Sequence, residues 1–416
     1  MACRRPRGDP VTPVRTIALR VRESFWFWPT ILGITAIIVA QLLVALDEAL
    51  QAGGTRIAFL DVLSASGGRS ILTTIGTSML TVAGTSFSIT ISVLATTSST
   101  YGPRLVRNFM ADRANQLVLA AFTSTFLYAI VVLRSVHTAV EDTTAFVPVV
   151  AVHVAVLLGV VDVAVLVFFI HHIASSVQVT SLLTQVEADL IAALDVAFPE
   201  APGHHRSTVS AVMTGDWVTI PARSAGYVQS IGWDRLRRLA EHKDVAVEVV
   251  AMPGTHVLPG ETVMKVRGEA DHDALIAQVT FGSARTPYQD VRFALQQLIE
   301  IGVRGLASGT NDPYTAVSAL DLAAAALVPI WRGRDPITVH RDDDGHGRVY
   351  CCWTPIETLV DEILESVAIY AIDHPEVLRA ALHFAERLNA AAPPHRAHVL
   401  TGRIELIAAA LERATP

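Results

Sequence analysis

The chain has 416 residues, of which 51% are hydrophobic and 17% charged, with a net charge of −7. Soluble domains carry about 25% charged residues, so the composition argues against a wholly soluble chain. The negative balance argues against a general nucleic-acid binder, which needs a strongly basic domain.

The charge deficit is local. Residues 26–173 hold few charged side chains, whereas residues 187–416 have an ordinary soluble composition. The first part reads as a membrane domain and the second as an aqueous one. Residues 1–24 form a basic tail with six arginines: Arg4, Arg5, Arg7, Arg15, Arg20 and Arg22. The apolar run that follows is longer than a signal-peptide core, and further spans follow it, so it is expected to be retained.

Four segments are long and apolar enough to cross a hydrocarbon core, which takes about 20 helical residues. They run roughly Phe25–Leu46, Ile71–Ser98, Gln116–Val136 and Phe146–Ile170. The first opens with FWFWP, the aromatic content of an interfacial belt. The stretch SSTYGPRLVRNFMADR joins the second and third spans and carries Arg104, Arg107 and Arg113. The basic excess of this loop and of the tail places both on the cytoplasmic side. The expected topology has both termini in the cytoplasm of an inner (plasma) membrane. The three arginines then serve orientation and contact anionic headgroups, or line the cytoplasmic mouth of a pathway.

The second span carries small and hydroxylated residues at steps of three and four: Thr74, Ser78, Thr81, Thr85, Ser88, Ser92, Ala95 and Ser99. One reading is a packing seam, because small residues let helices approach closely in lipid. The other is the lining of a neutral pore built by several copies. In the fourth span, Asp162 lies near mid-span, where a carboxyl is costly and faces a bundle interior or water. It joins the six hydroxyl residues Thr74 to Ser92 as a pore-lining candidate. His153, nine residues earlier, projects to a different face.

Residues 174–198 read as a helix running on from the membrane, with apolar positions at Val177, Leu182, Val186 and Leu190. Residues 174–205 as a whole read as a connecting helix and linker, the linker chemistry lying in PEAPGHHRST (199–208). Residues 206–416 read as an α+β domain. WVTIPA and GYVQSIG are expected strands, Trp233–His242 a helix, and VAVEVVAM and TVMKV strands set off by Pro-Gly turns. Met264–Lys265–Val266 has the look of a biotin-carrier hairpin but lacks its acidic-small pair, so a plain β-hairpin and no cofactor are expected.

RTPYQD and GTNDP read first as helix starts. Thr286 is the expected N-cap of one, with Pro287 at the first helical position and Gln289 as capping-box partner. Asp312 is the expected N-cap of the other, before Pro313. A helix N-terminus also attracts anions, which makes Arg285, Thr286, Gln289, Asp290, Asn311 and Asp312 ligand-binding candidates. PITVHRDDDGHGRVYCCW reads as a hairpin with an acidic turn. Its adjacent Cys351 and Cys352, alternating along a strand, point to opposite faces. Cys3 is the third cysteine, and no spacing among the three suits a disulfide framework or a zinc site. Residues 355–414 read as three helices.

Two blocks bear a resemblance. SSTYGPRLVRNFMADRANQLVLAAFTSTFLYAIVVLRSV (98–136) and RTPYQDVRFALQQLIEIGVRGLASGTNDPYTA (285–316) resemble the signatures of the bacterial predicted-membrane-protein family called domain of unknown function 2254. FFIHHIASSVQ and GYVQSI add to the likeness, which runs from the first span to about residue 390. Ala307–Ser308–Gly309 departs from the family's serine-proline-glycine. The resemblance implies a helical membrane domain first and a cytoplasmic domain second, and brings no activity. With the spans and strands read above, the expected fold is four transmembrane helices followed by a cytoplasmic α+β domain.

The function expected from these features is a homo-oligomeric ion channel or transport protein with a regulatory cytoplasmic domain. The alternative is a membrane-anchored sensor or scaffold that binds an anionic ligand or a protein partner. No nucleophile–base pair, metal cluster or phosphate loop points to an enzyme. The expected partners are the lipid bilayer, further copies of the chain and a small anion or other ion, with no nucleic acid.

Overall fold

A computed structural model describes residues 26–52, 64–101, 113–137, 146–176, 178–201, 203–208 and 215–414. The chain divides into two compact units at Gln178–Val179.

The described residues of the first unit form four helices: α1 (Phe27–Ala52), α2 (Ala65–Tyr101), α3 (Arg113–Ser135) and α4 (Val149–Ser176). Each overlaps an expected span with shifted ends: α1, α2 and α4 run several residues past the expected C-terminal ends, α3 stops one residue short of Val136, and α4 starts at Val149 rather than Phe146. α3 is the most buried of the four and packs against the other three. Its inward stripe is Asn115, Val118, Phe122, Thr125, Ala129 and Val132, all buried. Steps of three and four along a helix are those of a heptad seam. The packing falls into two layers. One gathers Ala40, Val44, Leu72, Tyr128 and Val132; the other gathers Met79, Ala83, Val118, Phe122 and Phe169.

At one end of this bundle the helix termini are tied together. Asp47, near the end of α1, accepts hydrogen bonds from the amides of Val150 (3.1 Å) and Ala151 (3.0 Å) at the start of α4. A carboxylate there satisfies two of the amides that every helix start leaves unpaired and meets the positive end of the helix dipole. The Tyr128 hydroxyl donates to the Ala151 carbonyl at 2.9 Å. Arg69 donates to the Val136 carbonyl just past α3 at 3.2 Å.

The second unit begins with α5 (Val179–Ala197). The expected continuation of the fourth span is corrected here. α4 ends at Ser176, and α5 is a separate helix that buries Leu182, Leu183, Val186, Leu190 and Leu194 within the second unit. Its partners there are α8 (Val291–Gly305) and α9 (Pro313–Trp331). Val177 lies outside the described residues.

A six-stranded sheet runs β1-β8-β9-β4-β6-β2. Its members are β1 (Arg206–Ser207), β2 (Val218–Pro221), β4 (Ala246–Val249), β6 (Thr262–Arg267), β8 (Val339–Arg341) and β9 (Gly347–Tyr350). All pairs are antiparallel except β4 with β9. A three-stranded antiparallel sheet runs β5-β3-β7, from β3 (Gly226–Ile231), β5 (His256–Val257) and β7 (Val279–Gly282). The hairpin expected of HVLPGETVMKV is not formed, because β5 pairs with β3 in the smaller sheet and β6 pairs antiparallel with β4. Lys265 on β6 forms an ion pair with Glu248 across the strands at 3.0 Å.

α6 (Trp233–His242) lies on β8 and β9, and α7 (His272–Ile276) is a single turn. The expected C-terminal helices are α10 (Ile356–Tyr370), α11 (Pro375–Ala391) and α12 (Thr401–Ala414). Among the described residues, five helices are long and apolar enough to cross a membrane, α1 to α4 and α9. More than half of α9's apolar window is buried, a larger share than in the other four. Its Asp321 is ion-paired with Arg387 of α11 at 3.1 Å.

Candidate functional site

The hydroxyl seam of α2 faces away from its own bundle. Thr74, Ser78, Thr81, Thr85, Ser88, Ser92 and Ala95 are all exposed, while the opposite stripe, Leu72, Met79, Ala83 and Ser86, is buried. Gly76 on the inner side lets α3 come close, since a Cβ there would lie 3.7 Å from that of Ala129. The threonines of the seam donate to their own helix. Thr74 Oγ1 reaches the Ser70 carbonyl at 2.8 Å, Thr81 the Thr77 carbonyl at 2.9 Å, and Thr85 the Thr81 carbonyl at 3.0 Å. Such back-bonding leaves no donor stranded against an apolar neighbour. Among the described residues, no helix of the first unit covers this seam, so the packing reading is not met there. The side chain of Ser99 lies outside the described part.

Asp162 is on the other side of the matter. It is buried on α4, 3% exposed, and its hydrogen-bond partner is the Thr125 hydroxyl on the inward stripe of α3. Its Oδ2 has no partner. The structure thus separates Asp162 from the exposed seam residues with which sequence reasoning grouped it. His153 is exposed, with Nδ1 2.8 Å from the Val149 carbonyl.

Sequence reasoning missed the buried polar residues of the bundle: Asp47, Asn115, Gln116 and Thr125. Asn115 has neither amide atom partnered. The signal was available, since Asn115 and Thr125 stand on the apolar heptad stripe of α3. Arg104 and Arg107 lie outside the described residues. Arg113 is the exposed first residue of α3.

In the second unit, Arg285, Thr286, Gln289 and Asp290 come together between β3 and α8. The N-cap of α8 is Asp290 and not Thr286: its side chain accepts from the Phe293 amide at 3.0 Å, and the helix starts at Val291. Thr286 donates instead to the Gln229 carbonyl at 3.4 Å. Gln289 is no capping-box partner either. Its amide acts as an extra strand residue, accepting from Ile231 N at 2.9 Å and donating to Ile231 O at 3.1 Å. The reason is depth. Asp290 is 4% exposed and meets the Arg285 guanidinium, which grips it at 2.8 and 2.9 Å. A buried carboxylate at a helix start satisfies amide and cation together. Gly254 (φ +93°) makes room for it, since a Cβ there would collide with the carboxylate.

Asp312 is the N-cap of α9 as expected, accepting from the Thr315 amide at 3.3 Å and the Thr315 hydroxyl at 2.6 Å. Asn311 before it has φ 46°, a left-handed conformation that Asn tolerates. Both helix starts are therefore closed by the chain's own carboxylates. An arriving anion would meet negative charge first. A cavity of about 240 Å³ lies beside Asp290, reached by Thr255, Arg292, Cys352 and Thr354; Arg292 is held by Glu362 at 2.6 Å.

The acidic hairpin turn is also used internally. Asp342 is buried and accepts from the His346 amide at 2.7 Å and Arg348 Nε at 2.6 Å. Burial pushes its carboxyl up, but the Arg348 and His346 contacts outweigh this and hold it below the usual range. Among the described residues no three His, Cys, Asp or Glu side chains gather where a metal would be held.

Residues 22–387 match the family described as predicted membrane protein, domain of unknown function 2254, and the chain belongs to that family. Similar proteins include an uncharacterized protein of Mycobacterium bovis and one of Mycobacterium tuberculosis strain H37Rv. Each is 29% identical over 359 residues, which span 83% of this chain and 68% of the relative. No solved structure matches the chain.

Proposed function

We propose that this membrane protein is a homo-oligomeric channel or transport protein of the bacterial inner membrane, with four spans, both termini cytoplasmic, and the second unit as its regulatory domain. The observation that carries the reading is the outward seam of α2: Thr74, Ser78, Thr81, Thr85, Ser88 and Ser92 are exposed on one helix. Exposed hydroxyls in a bilayer are matched by neighbouring helices or by water. Several copies that turn this face to a common axis would enclose a neutral, narrow, oxygen-lined path. α9 is read as a core helix of the second unit because of its burial and its ion-paired Asp321.

The test is ion flux from liposomes carrying the purified protein, beside Thr81→Leu and Ser88→Leu variants. Altered flux with normal insertion and assembly supports the lining. No flux from the parent across several cations and anions removes the channel. A sensor reading has one supporting feature, the cavity beside Asp290, and a flat thermal-stability profile across nucleotides and phosphates would count against it.

A further inference from the structure

We propose that Asp162 is an exchangeable proton-binding site in the interior of the membrane bundle. It does not depend on the seam of α2 lining a conduit.

The bundle contains its own comparison. Among the described residues of the first unit, two carboxyls are buried, Asp47 and Asp162. Asp47 sits at the bundle end with each oxygen taken by a backbone amide, at 3.1 and 3.0 Å. That is what a structural carboxylate needs: its charge is met by donors and by a helix dipole. Asp162 sits at the middle of α4, the most costly depth for a charge. It has one hydrogen-bond partner, the neutral Thr125 hydroxyl, and its second oxygen, Oδ2, has none.

Among the described residues, the Thr125 hydroxyl is the side chain that acts on it, and no charged group of the facing helices does. α1 offers Asp47 and Glu48, α2 offers Arg69 at its start, and α3 offers Arg113 and Arg134 near its two ends and Tyr128, whose hydroxyl is engaged by Ala151. On α4 itself, Val150, where Asp47 is held, is twelve residues away, about 18 Å at 1.5 Å per residue. His153 and His171 are each nine residues away, about 13 Å on the same rise, and both are exposed; His172 is ten residues away and stacks on Phe168. One turn before Asp162, a Cβ at Gly159 would stand 3.7 Å from the apolar Ile75 of α2. An ionised carboxyl in this position would keep one oxygen with no donor and no counter-charge.

The side chain therefore holds a proton at neutral pH, and the unpartnered oxygen is the atom on which it rides. The chemistry balances simply: the carboxylate takes one proton from the aqueous phase to give the acid, and returns it there. A carboxyl retained only to fasten helices would use both oxygens, as Asp47 does. One oxygen left open in a bundle interior suits a group that gains and loses a proton.

The test is infrared spectroscopy of the full chain in liposomes, in H₂O and after equilibration in D₂O, for the parent and Asp162→Asn. The expected result is a carbonyl band of a protonated carboxylic acid at neutral pH. It should be missing from Asp162→Asn and move to lower frequency in D₂O. Should Asp162→Asn fail to insert, Asp162→Glu keeps the acid and must displace the band. The proposal is overturned by spectra in which no such band depends on residue 162. It is equally overturned by a band that stays unshifted in D₂O, which would make Asp162 a sealed structural acid.

Discussion

Replacing Asp290 by alanine tests the account of the Arg285–Asp290 cluster, because the side chain has two separable duties. It caps α8 through the Phe293 amide and it neutralises Arg285. Loss of an N-cap costs about 0.5–2 kcal/mol. Removing one partner of a fully buried ion pair costs about 3–5 kcal/mol. The Arg285 side chain is 23% exposed, so water recovers part of that, leaving about 1–2 kcal/mol after screening. The sum is about 2–4 kcal/mol, which lowers the melting temperature of a unit of this size by about 5–15 °C. Intrinsic tryptophan fluorescence during heating of the full chain in detergent reads it, since Trp233, Trp331 and Trp353 all lie in this unit. Asp290→Asn keeps a good cap and loses only the charge, so it should cost less. Removing the carboxylate also opens the helix start to anions. Inorganic phosphate should recover part of the loss in Asp290→Ala and leave the parent unchanged. A variant that melts within about 2 °C of the parent (less than about 1 kcal/mol for a unit of this size) would refute the reasoning.

Burial and then the Arg206 cation push the His340 imidazole down to about 4, with an opposing upward pull from Asp234 and a smaller downward push from Arg237. The unfolded chain takes up this proton near the ordinary value of about 6.5, so the stabilisation is complete above that pH and is lost as pH falls toward 4. The loss approaches about 3 kcal/mol, and His340→Phe, which keeps the stacking on Trp233, should flatten that part of the stability–pH curve. Cys352 is exposed, whereas Cys351 is buried, donates to the Ile337 carbonyl at 3.2 Å, and has its thiol pushed up to about 12 by burial. A maleimide should therefore modify Cys352 in the folded protein and Cys351 only after denaturation, as read by peptide mass. Asp47→Ala should destabilise the membrane unit by about 0.5–2 kcal/mol through the uncapped start of α4, measured as a lower midpoint of detergent-induced unfolding; an unchanged midpoint would mean that water replaces the cap.

Local chemistry in the chain determined much of this protein. Four apolar runs of span length specified α1 to α4, because a bilayer core demands that length whatever surrounds it. Asp312 before Pro313 specified the start of α9, and alternation specified that Cys351 and Cys352 would part. Each of these depends on residues within a few positions of one another. What the tertiary structure decided depends on residues far apart. α5 looked like an extension of the fourth span until Leu182, Val186 and Leu190 found their partners in the second unit. α9 is as apolar as a span, and only its neighbours distinguish a buried core helix from a crossing one, since both exclude water in the same way. The N-cap of α8 moved from Thr286 to Asp290 because Arg285 folds back onto the carboxylate. The seam of α2 and Asp162 of α4 were both legible as unusual polar features of a membrane helix. A helix period gives the face on which a residue lies but not what covers that face. Packing turned the first outward and the second in against Thr125.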